Sequence, residues 1–434
     1  MFKKPIFLCL VTIFSFSLIF SLNLELSAEG FYEEDKLTDR LGVTLYYTTS
    51  NFDIMSDIAF YNDDKYHFYE EDYYWGHYFL IENSYITLRN YDGTISLSGG
   101  IKDLKDEINS PYSLFFSSEK ISQPYFEFSY ENDNFFFETM WVQLVSKNNG
   151  NFPDSTSSMN YKLYGLKVGD FRVGYQDVLV YERAFDYYYL LNPMPAYFAQ
   201  EFRSSSNNMP WSEDDSNDNS IMGFFFDYND PNYYLYSQLL VDDFNTNRFF
   251  NPEGTQNPDK VAFSSGFNVK SNIGTFGLHG AFATRYTFQR GGGPGYTIYP
   301  ENTYNGETID YTDNYIGYKY GENTVSFLMD YDYTLDNWFN IYSSFETILS
   351  GSKSPTKKTA PNSGTYLLDE DKLEKRYIYT LATKFFFKNI ELNLSTNMGV
   401  IQNKLELDEE KNEFVPSDEE KNIIRLNFGI AIKF

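Results

Sequence analysis

The sequence predicts an all-β fold: a transmembrane antiparallel β-barrel of about 18 strands, in a range of roughly 16–20, with long extracellular loops. Three observations predict this class. Apolar and polar residues alternate over many segments of about 9–13 residues, the length that a tilted strand needs to cross a bilayer. Short turns alternate with long polar segments. Aromatic residues form 20% of the 434 residues, yet mean hydropathy is only −0.46.

This composition excludes a bundle of transmembrane helices. Such helices need runs of about 20 apolar residues, and only 42% of the chain is apolar. Disorder is also a poor fit, because disordered chains contain few aromatic residues. Strands that present every second side chain to lipid, with aromatic girdles at both interfaces, have this composition. A large soluble β-protein rich in tyrosine is the alternative.

The N-terminus has the features of an export signal. Two lysines precede an apolar stretch over residues 5–24, and Ala28 stands at a suitable cleavage position. We therefore expect a cleaved signal peptide over 1–28, a short periplasmic lead over 29–40 and the barrel over 41–434, located in the cell outer membrane. An uncleaved anchor helix is the alternative to cleavage.

Alternating segments recur along the chain, and the clearest of them is the last. Ile424, Leu426, Phe428, Ile430 and Ile432 are apolar, and polar or small residues stand between them. An exposed strand of this kind invites aggregation unless it is paired on both sides, and a closed barrel provides both partners. We expect outer-membrane lipid to contact this strand and the barrel-assembly machinery to recognise its end at Phe434. Similar alternation occurs at 126–131, 276–288, 325–333 and 390–400.

Turn residues divide the chain into hairpins. Short turns are predicted at 169–170, 229–232, 321–323, 335–337 and 388–389. Longer polar segments cover 102–123, 147–158, 182–219, 243–260, 289–307, 351–373 and 403–422. Short turns on one side and long loops on the other are typical of outer-membrane barrels. Counting back from the C-terminus leaves 271–274 on the loop side, which indicates a hidden or wrongly divided strand between 289 and 373.

Charge limits the partners that the protein can bind. The formal net charge of −27 makes nucleic acid and anionic surfaces poor partners. Carboxylates also outnumber cations among the residues predicted to face the lumen, so an open lumen would favour cations. The lumen-lining candidates are Glu127, Glu138, Asp227, Arg285, Asp330, Asp332, Lys384 and Glu391.

Catalytic and metal-binding patterns do not emerge. None of His67, His77 and His279 stands at a metal-ligand spacing, and we interpret His279 as structural or lumen-lining. The acidic run 213–219 offers oxygen ligands, but it lacks the glycine and glutamate of a helix-loop-helix calcium site, so a solvated loop is the preferred interpretation. We expect no enzyme activity, no metal and no cofactor.

Aromatic residues in the segment 182–219 indicate a possible glycan site. Aromatic faces pack on sugar rings while amides and carboxylates bond the hydroxyls. An interfacial aromatic belt or packing inside the lumen is the equally weighted alternative. The glycan-binding candidates are Tyr187, Tyr188, Tyr189, Asn192, Trp211, Asp242 and Asp243.

Two segments, 161–201 and 219–244, together about a quarter of the chain, resemble the capsule-assembly outer-membrane barrel family, called Wzi-like. The resemblance lies in Leu191-Asn192-Pro193 after one strand pair and in Asp242-Asp243-Phe244 at the end of the next. It implies an 18-stranded barrel, loops that block the lumen, and binding of surface polysaccharide. Members of that family have a periplasmic helical segment before the first strand, and this chain has only 29–40 there.

We therefore expect a capsule-assembly-like barrel that binds or organises surface polysaccharide. The alternative is an acidic-lumen porin for the diffusion of cations or small solutes. An adhesin with long contact loops is a third class.

Overall fold

The computed structural model describes residues 22–63, 74–115, 122–145, 157–203, 210, 218–288, 303–304, 307–308, 317–354, 364–408, 410 and 413–434. Within those ranges, none of the helices combines the length and the apolar character that a membrane-spanning helix requires.

Eighteen antiparallel strands form one closed sheet, which confirms the predicted fold class and strand number. Each strand pairs with the next in the chain, and the last pairs with the first. Closure leaves no strand edge unpaired, as a lipid environment demands. The strands are β1 Asn23–Glu33, β2 Lys36–Thr48, β3 Phe52–Tyr61, β4 Tyr78–Arg89, β5 Ile95–Lys102, β6 Gln123–Glu131, β7 Phe135–Val145, β8 Ser157–Val168, β9 Phe171–Tyr181, β10 Asn219–Asn229, β11 Tyr233–Asp243, β12 Lys260–Ser271, β13 Gly274–Ala283, β14 Thr324–Leu335, β15 Phe339–Ser350, β16 Glu374–Phe387, β17 Ile390–Gln402 and β18 Glu420–Lys433.

Short turns lie at one end of the barrel, and the longer connections lie at the other end together with the two-residue turn 34–35 between β1 and β2. The start of β1 and the end of β18 also lie at the turn end, where the backbone N–H of Phe434 donates to the carbonyl of Leu24 at 2.8 Å. The topology of outer-membrane barrels assigns this end to the periplasm and the loop end to the outside. The short turns at the turn end are 49–51, 90–94, 132–134, 169–170, 230–232, 272–273, 336–338 and 388–389.

The predicted hairpin turn at 321–323 is wrong. Strand β13 pairs directly with β14, so residues 321–323 are the last part of one long connection at the loop end. No strand is therefore missing from the count, and 272–273 joins the other short turns. The glycine and asparagine at 321–323 suggested a hairpin because they are turn residues, but turn residues also end long loops.

Residues 29–40 belong to the barrel wall, so the predicted periplasmic lead is wrong. They complete β1 and begin β2, and Glu29 stands opposite both Arg40 and Gly429. The sequence analysis began the barrel at residue 41 because it assigned residues 1–28 to a signal peptide, which divided β1. Cleavage after Ala28 is untested, but it would remove the half of β1 from Asn23 to Ala28, so the closed sheet favours a mature N-terminus at or before Asn23.

The two faces of the wall differ in chemistry. On the outward face, Leu166, Phe224 and Phe428 are 54%, 56% and 57% exposed. On the inward face, Arg40 bonds Glu29 at 3.1 Å and also contacts Glu82. An apolar outward face and a polar inward face are typical of a barrel with lipid outside and water inside.

Small elements lie within the connections that leave the loop end. They are helices α1 Tyr187–Leu191, α2 Ala196–Arg203 and α3 Asn247–Phe250, and the paired strands Thr303–Tyr304 with Glu307–Thr308 and Leu405–Asp408 with Glu413–Pro416. Helix α1 begins at Asp186, whose carboxylate accepts the backbone N–H of Tyr188, a standard N-cap bond.

Candidate functional site in the barrel lumen

Residues 103–115, here called the lumen loop, leave β5 and cross the interior of the barrel. The N–H of Asn109 donates to the Tyr234 hydroxyl of β11 at 3.1 Å. The Tyr112 hydroxyl donates to Glu346 of β15 at 2.8 Å. A segment that begins at β5 and bonds to β11 and β15 must pass through the lumen, because those strands stand on distant parts of the wall.

The lumen loop carries its own apolar core. Leu104, Ile108, Tyr112, Leu114 and Phe115 are buried among inward-facing side chains of the wall. Each buried side chain of this size contributes roughly 1.5–3 kcal/mol, so the loop is held firmly in place. The wall residues that belong to the same core include Phe136, Met140, Tyr161, Leu163, Phe225, Tyr236, Leu240 and Leu328.

Asp106 forms the polar centre of this contact. One of its oxygens accepts the Ser113 hydroxyl at 2.5 Å and the Gln238 amide N–H at 2.8 Å. The Gln238 amide oxygen in turn accepts the backbone N–H of Leu114 at 2.9 Å. Burial raises the pKa of the Asp106 carboxyl, because desolvation penalises its charged form.

Arg172 ties the loop to the wall near the turn end. Its guanidinium donates to Asp227 at 2.9 Å and to Glu107 of the lumen loop at 2.7 Å. The Asp227 side chain has no exposure to solvent, so its charge depends on this partner. Burial raises the pKa of Glu107, and Arg172 opposes that shift.

A second segment, residues 317–320, packs on the lumen loop. The Tyr318 hydroxyl donates to Ser326 of the wall at 2.5 Å. Its ring meets Tyr112 edge to face with centroids 6.0 Å apart, a favourable aromatic geometry. The Lys319 amine lies 5.0 Å from the centre of the Tyr112 ring. Two connections therefore meet inside the barrel.

The other side of the lumen is polar and more open. A cavity of about 660 Å³ lies between β14, β15 and β16 at the turn end. Nearby, Lys384 lies 3.4 Å from Glu391, and Lys433 lies 3.8 Å from Glu25. The cavity is lined by Asp332, Thr334, Asn337, Asn340, Tyr342, Ala382, Lys384 and Phe386.

Seven of the eight lumen-lining candidates lie on barrel strands, and their own side chains face the lumen. Asp330 lies 3.1 Å from His279, and Asp227 pairs with Arg172. Arg285 does not line the lumen. It follows the end of β13 and lies 3.6 Å from Glu370 in the outer loops, because the alternating pattern continues in the sequence beyond the last paired residue. The seven are Glu127, Glu138, Asp227, Asp330, Asp332, Lys384 and Glu391.

The glycan-binding candidates are not brought together in one site. Tyr187, Tyr188, Tyr189 and Asn192 lie against the outside of the wall, and Tyr189 is buried with its hydroxyl on Asp218 at 2.6 Å. At the end of β11, Asp242 accepts the N–H of Phe288 at 3.1 Å, and Asp243 stands opposite Lys260. Trp211 and residues 213–217 of the acidic run lie outside the described residues.

Described parts of the connections at the loop end are hydrogen-bonded into a layer, here called the loop layer, built from residues 284–288, 317–323, 351–354, 364–373 and 413–416. Asn323 donates to the Ser352 carbonyl and to Glu370, both at 3.0 Å, and accepts the Leu368 N–H at 2.8 Å. Glu322 accepts the Ser354 N–H at 2.5 Å. These bonds join connections that are remote in sequence.

Two buried ionisable groups stand in the loop layer. Burial raises the pKa of Glu322 to about 7 and lowers the pKa of Lys353 to about 7, since desolvation disfavours the charged form of each. The Lys353 amine donates to the Tyr320 carbonyl. In the described part of the chain, no three potential metal ligands of the His, Cys, Asp or Glu types lie together.

Sequence reasoning missed the lumen loop. It treated 102–123 as one of the polar loops, and it did not single out Gln238, Arg172 or Glu346. A signal was present, because Ile108, Tyr112, Leu114 and Phe115 are a high density of large apolar residues for a solvated loop.

No family model and no curated protein matches this chain. Among solved structures, the chain is similar to Escherichia coli Wzi, an outer-membrane protein involved in group 1 capsule assembly and described as a carbohydrate-binding β-barrel. The TM-score is 0.58 at 11% identity, covering 98% of this chain and 87% of Wzi. The Pseudomonas aeruginosa barrels OccK8 and OpdQ give TM-scores of 0.48 and 0.47 at 9% and 10% identity, each with 95% of this chain and 97% of theirs.

The chain therefore has the fold of the Wzi barrel, as the family resemblance implied. An identity of 11% establishes the fold and leaves function to be argued from the site.

Proposed function

We propose that this protein is a plugged outer-membrane barrel that binds or organises surface polysaccharide and catalyses no reaction. The observation that carries the proposal is the lumen loop, which occupies the interior of the barrel with an apolar core and bonds to Gln238 and Glu346. A diffusion channel needs a continuous wetted path, and a dry core across the lumen opposes one.

The loop layer supports a binding role. Its connections are fixed to one another by Asn323 and Glu370, so an exposed ligand surface is already ordered before binding and less conformational entropy is lost. Exposed carboxylates at Asp369 and Asp371 are suitable acceptors for sugar hydroxyls. The likeness in fold to a barrel described as carbohydrate-binding agrees with this assignment.

The test is a binding measurement with purified protein in detergent and polysaccharide extracted from the surface of the same cells. We expect saturable binding, which the paired change Asp369→Ala and Asp371→Ala weakens. Asp336→Ala is the matched control, since Asp336 is an exposed carboxylate at the opposite, turn end. Absence of binding, together with an unchanged surface glycan layer after gene deletion, would refute the proposal.

A second candidate function is the acidic-lumen porin, which the cavity beside Asp332 and Lys384 favours. Conductance across a planar bilayer separates the two functions. A plugged binder gives no steady current, whereas a porin gives stable open channels with cation preference.

A further inference from the structure

The outward face of β7, β8 and β9 is polar where an outer-membrane barrel is normally apolar. Thr139, Ser158, Lys162 and Asp177 all point away from the lumen, and all are buried. Lys162 and Asp177 stand directly opposite each other on neighbouring strands. A lysine that faced lipid near the bilayer midplane would cost about 2–4 kcal/mol, so this part of the wall must be covered.

Residues 184–203, which include α1 and α2 and are here called the outer-wall hairpin, provide the cover. The wall side chains donate to its backbone carbonyls. Lys162 bonds the Met194 carbonyl at 2.6 Å and also the Asn192 carbonyl. Further donors are Ser158 to Ala184 at 2.7 Å, Trp141 to Ala184 at 3.0 Å, Thr139 to Leu190 at 2.9 Å and Tyr164 to Pro193 at 2.8 Å.

The N–H groups at the tip of the hairpin are accounted for as well. Pro193 and Pro195 have none. Met194 donates to the Asn192 side chain at 3.0 Å, and Ala196 donates to the Asp177 carboxylate at 2.6 Å. Non-helical backbone can lie at membrane depth only when protein groups satisfy it in this way.

The hairpin descends well below the loop end. Its first residue meets Ser158, at the outer end of β8, and its tip meets Tyr164. From Ser158 to Tyr164 the strand runs about 20 Å at about 3.3 Å per residue, which is about 15 Å along the membrane normal for a tilt near 40°. The tip therefore reaches about halfway across a hydrocarbon core roughly 30 Å thick.

The surface that the hairpin presents away from the wall is apolar. Leu191 and Phe198 are 73% and 56% exposed, and Tyr187, Met194 and Phe202 are exposed beside them. Between Tyr187 and Phe202 the one exposed charged residue is Glu201, in the last turn of α2 near the outer rim. This surface continues the exposed apolar wall at Leu166, Val173 and Phe224.

We propose that the outer-wall hairpin is inserted into the outer leaflet and that acyl chains cover Leu191, Met194 and Phe198. Continuity with the lipid-facing wall and the depth of the tip favour acyl chains as the occupant, and the pairing of the tip N–H groups at Met194 and Ala196 permits them. This inference goes beyond the proposed function and does not depend on whether the lumen is plugged or which ligand binds.

The test uses single cysteines in the full-length barrel with Cys9→Ser, since Cys9 is the one cysteine of the chain. Leu191→Cys and Phe198→Cys report on the hairpin, Phe345→Cys on the lipid-facing wall, and Asp418→Cys on a fully exposed outer position. A membrane-impermeant maleimide should label the hairpin and wall cysteines roughly tenfold or more slower than position 418, because the reactive thiolate does not form in hydrocarbon. Phospholipids with brominated acyl chains should quench a fluorophore at position 191.

Labelling at positions 191 and 198 as fast as at 418 would place the hairpin in water and overturn the proposal. Slow labelling combined with efficient disulfide cross-linking between two chains at position 191 would show that a second copy is the occupant, and would also overturn it.

A further variant tests the bonds that hold the hairpin. Lys162→Met removes the donor to two carbonyls, and we expect faster labelling at position 191. Lys167→Met is the matched control, because Lys167 lies on the same strand but faces inward and pairs with Glu131. Unchanged labelling in a folded Lys162→Met barrel would contradict the role of these bonds. If that variant does not fold, the labelling of the unsubstituted hairpin still decides the proposal.

Discussion

Gln238 provides the sharpest test of how the lumen loop is held. Replacement by leucine keeps most of the volume but removes the amide that donates to Asp106 at 2.8 Å and accepts from Leu114 at 2.9 Å. A buried N–H left without a partner costs about 1–3 kcal/mol, and a lost bond to a charged acceptor costs about 1.5–3 kcal/mol. Together the change should weaken loop docking by about 3–5 kcal/mol, a rise of roughly 10²- to 4 × 10³-fold in the released fraction.

Hydrogen exchange of the peptide over 104–115, followed by mass spectrometry in detergent, measures that fraction directly. We expect its protection to fall by the same factor while wall peptides stay protected. Ser237→Ala is the matched control, since Ser237 is the preceding residue but bonds Ser265 on the outward face at 3.0 Å. If Gln238→Leu and Ser237→Ala leave the loop equally protected, the loop is not held by this amide.

Three further predictions concern other parts of the barrel. Arg172→Met should lower the free energy of unfolding by about 3–5 kcal/mol because it leaves the buried Asp227 charge without its partner. The loss of stability is followed as a lower unfolding temperature in heat-modifiability gels. Arg172→Lys should lower the stability less than Arg172→Met if charge matters more than geometry. Burial raises the pKa of Asp106 above its usual 3.8, so its contribution to loop docking is present at acid pH and is lost as pH rises through the folded-state pKa. Asp106→Asn should therefore flatten the pH dependence of loop protection. An unchanged slope would show that this carboxyl is not the group that titrates. The mature N-terminus should lie at or before Asn23, because β18 would otherwise lose its partners opposite Ile430 to Lys433. Intact-mass measurement identifies the first residue, and a mature chain that begins at Glu29 would contradict the prediction.

The sequence predicted the barrel because strand alternation is a local property. Side chains at successive strand positions point to opposite faces. The apolar residues Phe428 and Ile430 therefore identify the lipid-facing side from the local sequence alone. Four of the five predicted hairpin turns are correct for the same reason, since turn residues act through their own backbone preferences. The inward-facing carboxylates, Asp332 and Glu391 among them, follow from the same period.

The candidate site was not predictable in this way. The lumen loop is joined to Gln238 and Glu346 across more than one hundred residues, and no periodic pattern encodes a contact between a loop and a distant strand. From composition alone, the tyrosines at 187–189 fitted a glycan site and an aromatic belt equally well. The structure places them on the outer wall, where Tyr189 packs on Tyr181 and bonds Asp218. Local pattern therefore determined the barrel, its polarity and several of its turns. Only the tertiary structure decided where each loop goes, because the pairing of loop groups depends on which wall residues closure brings opposite them.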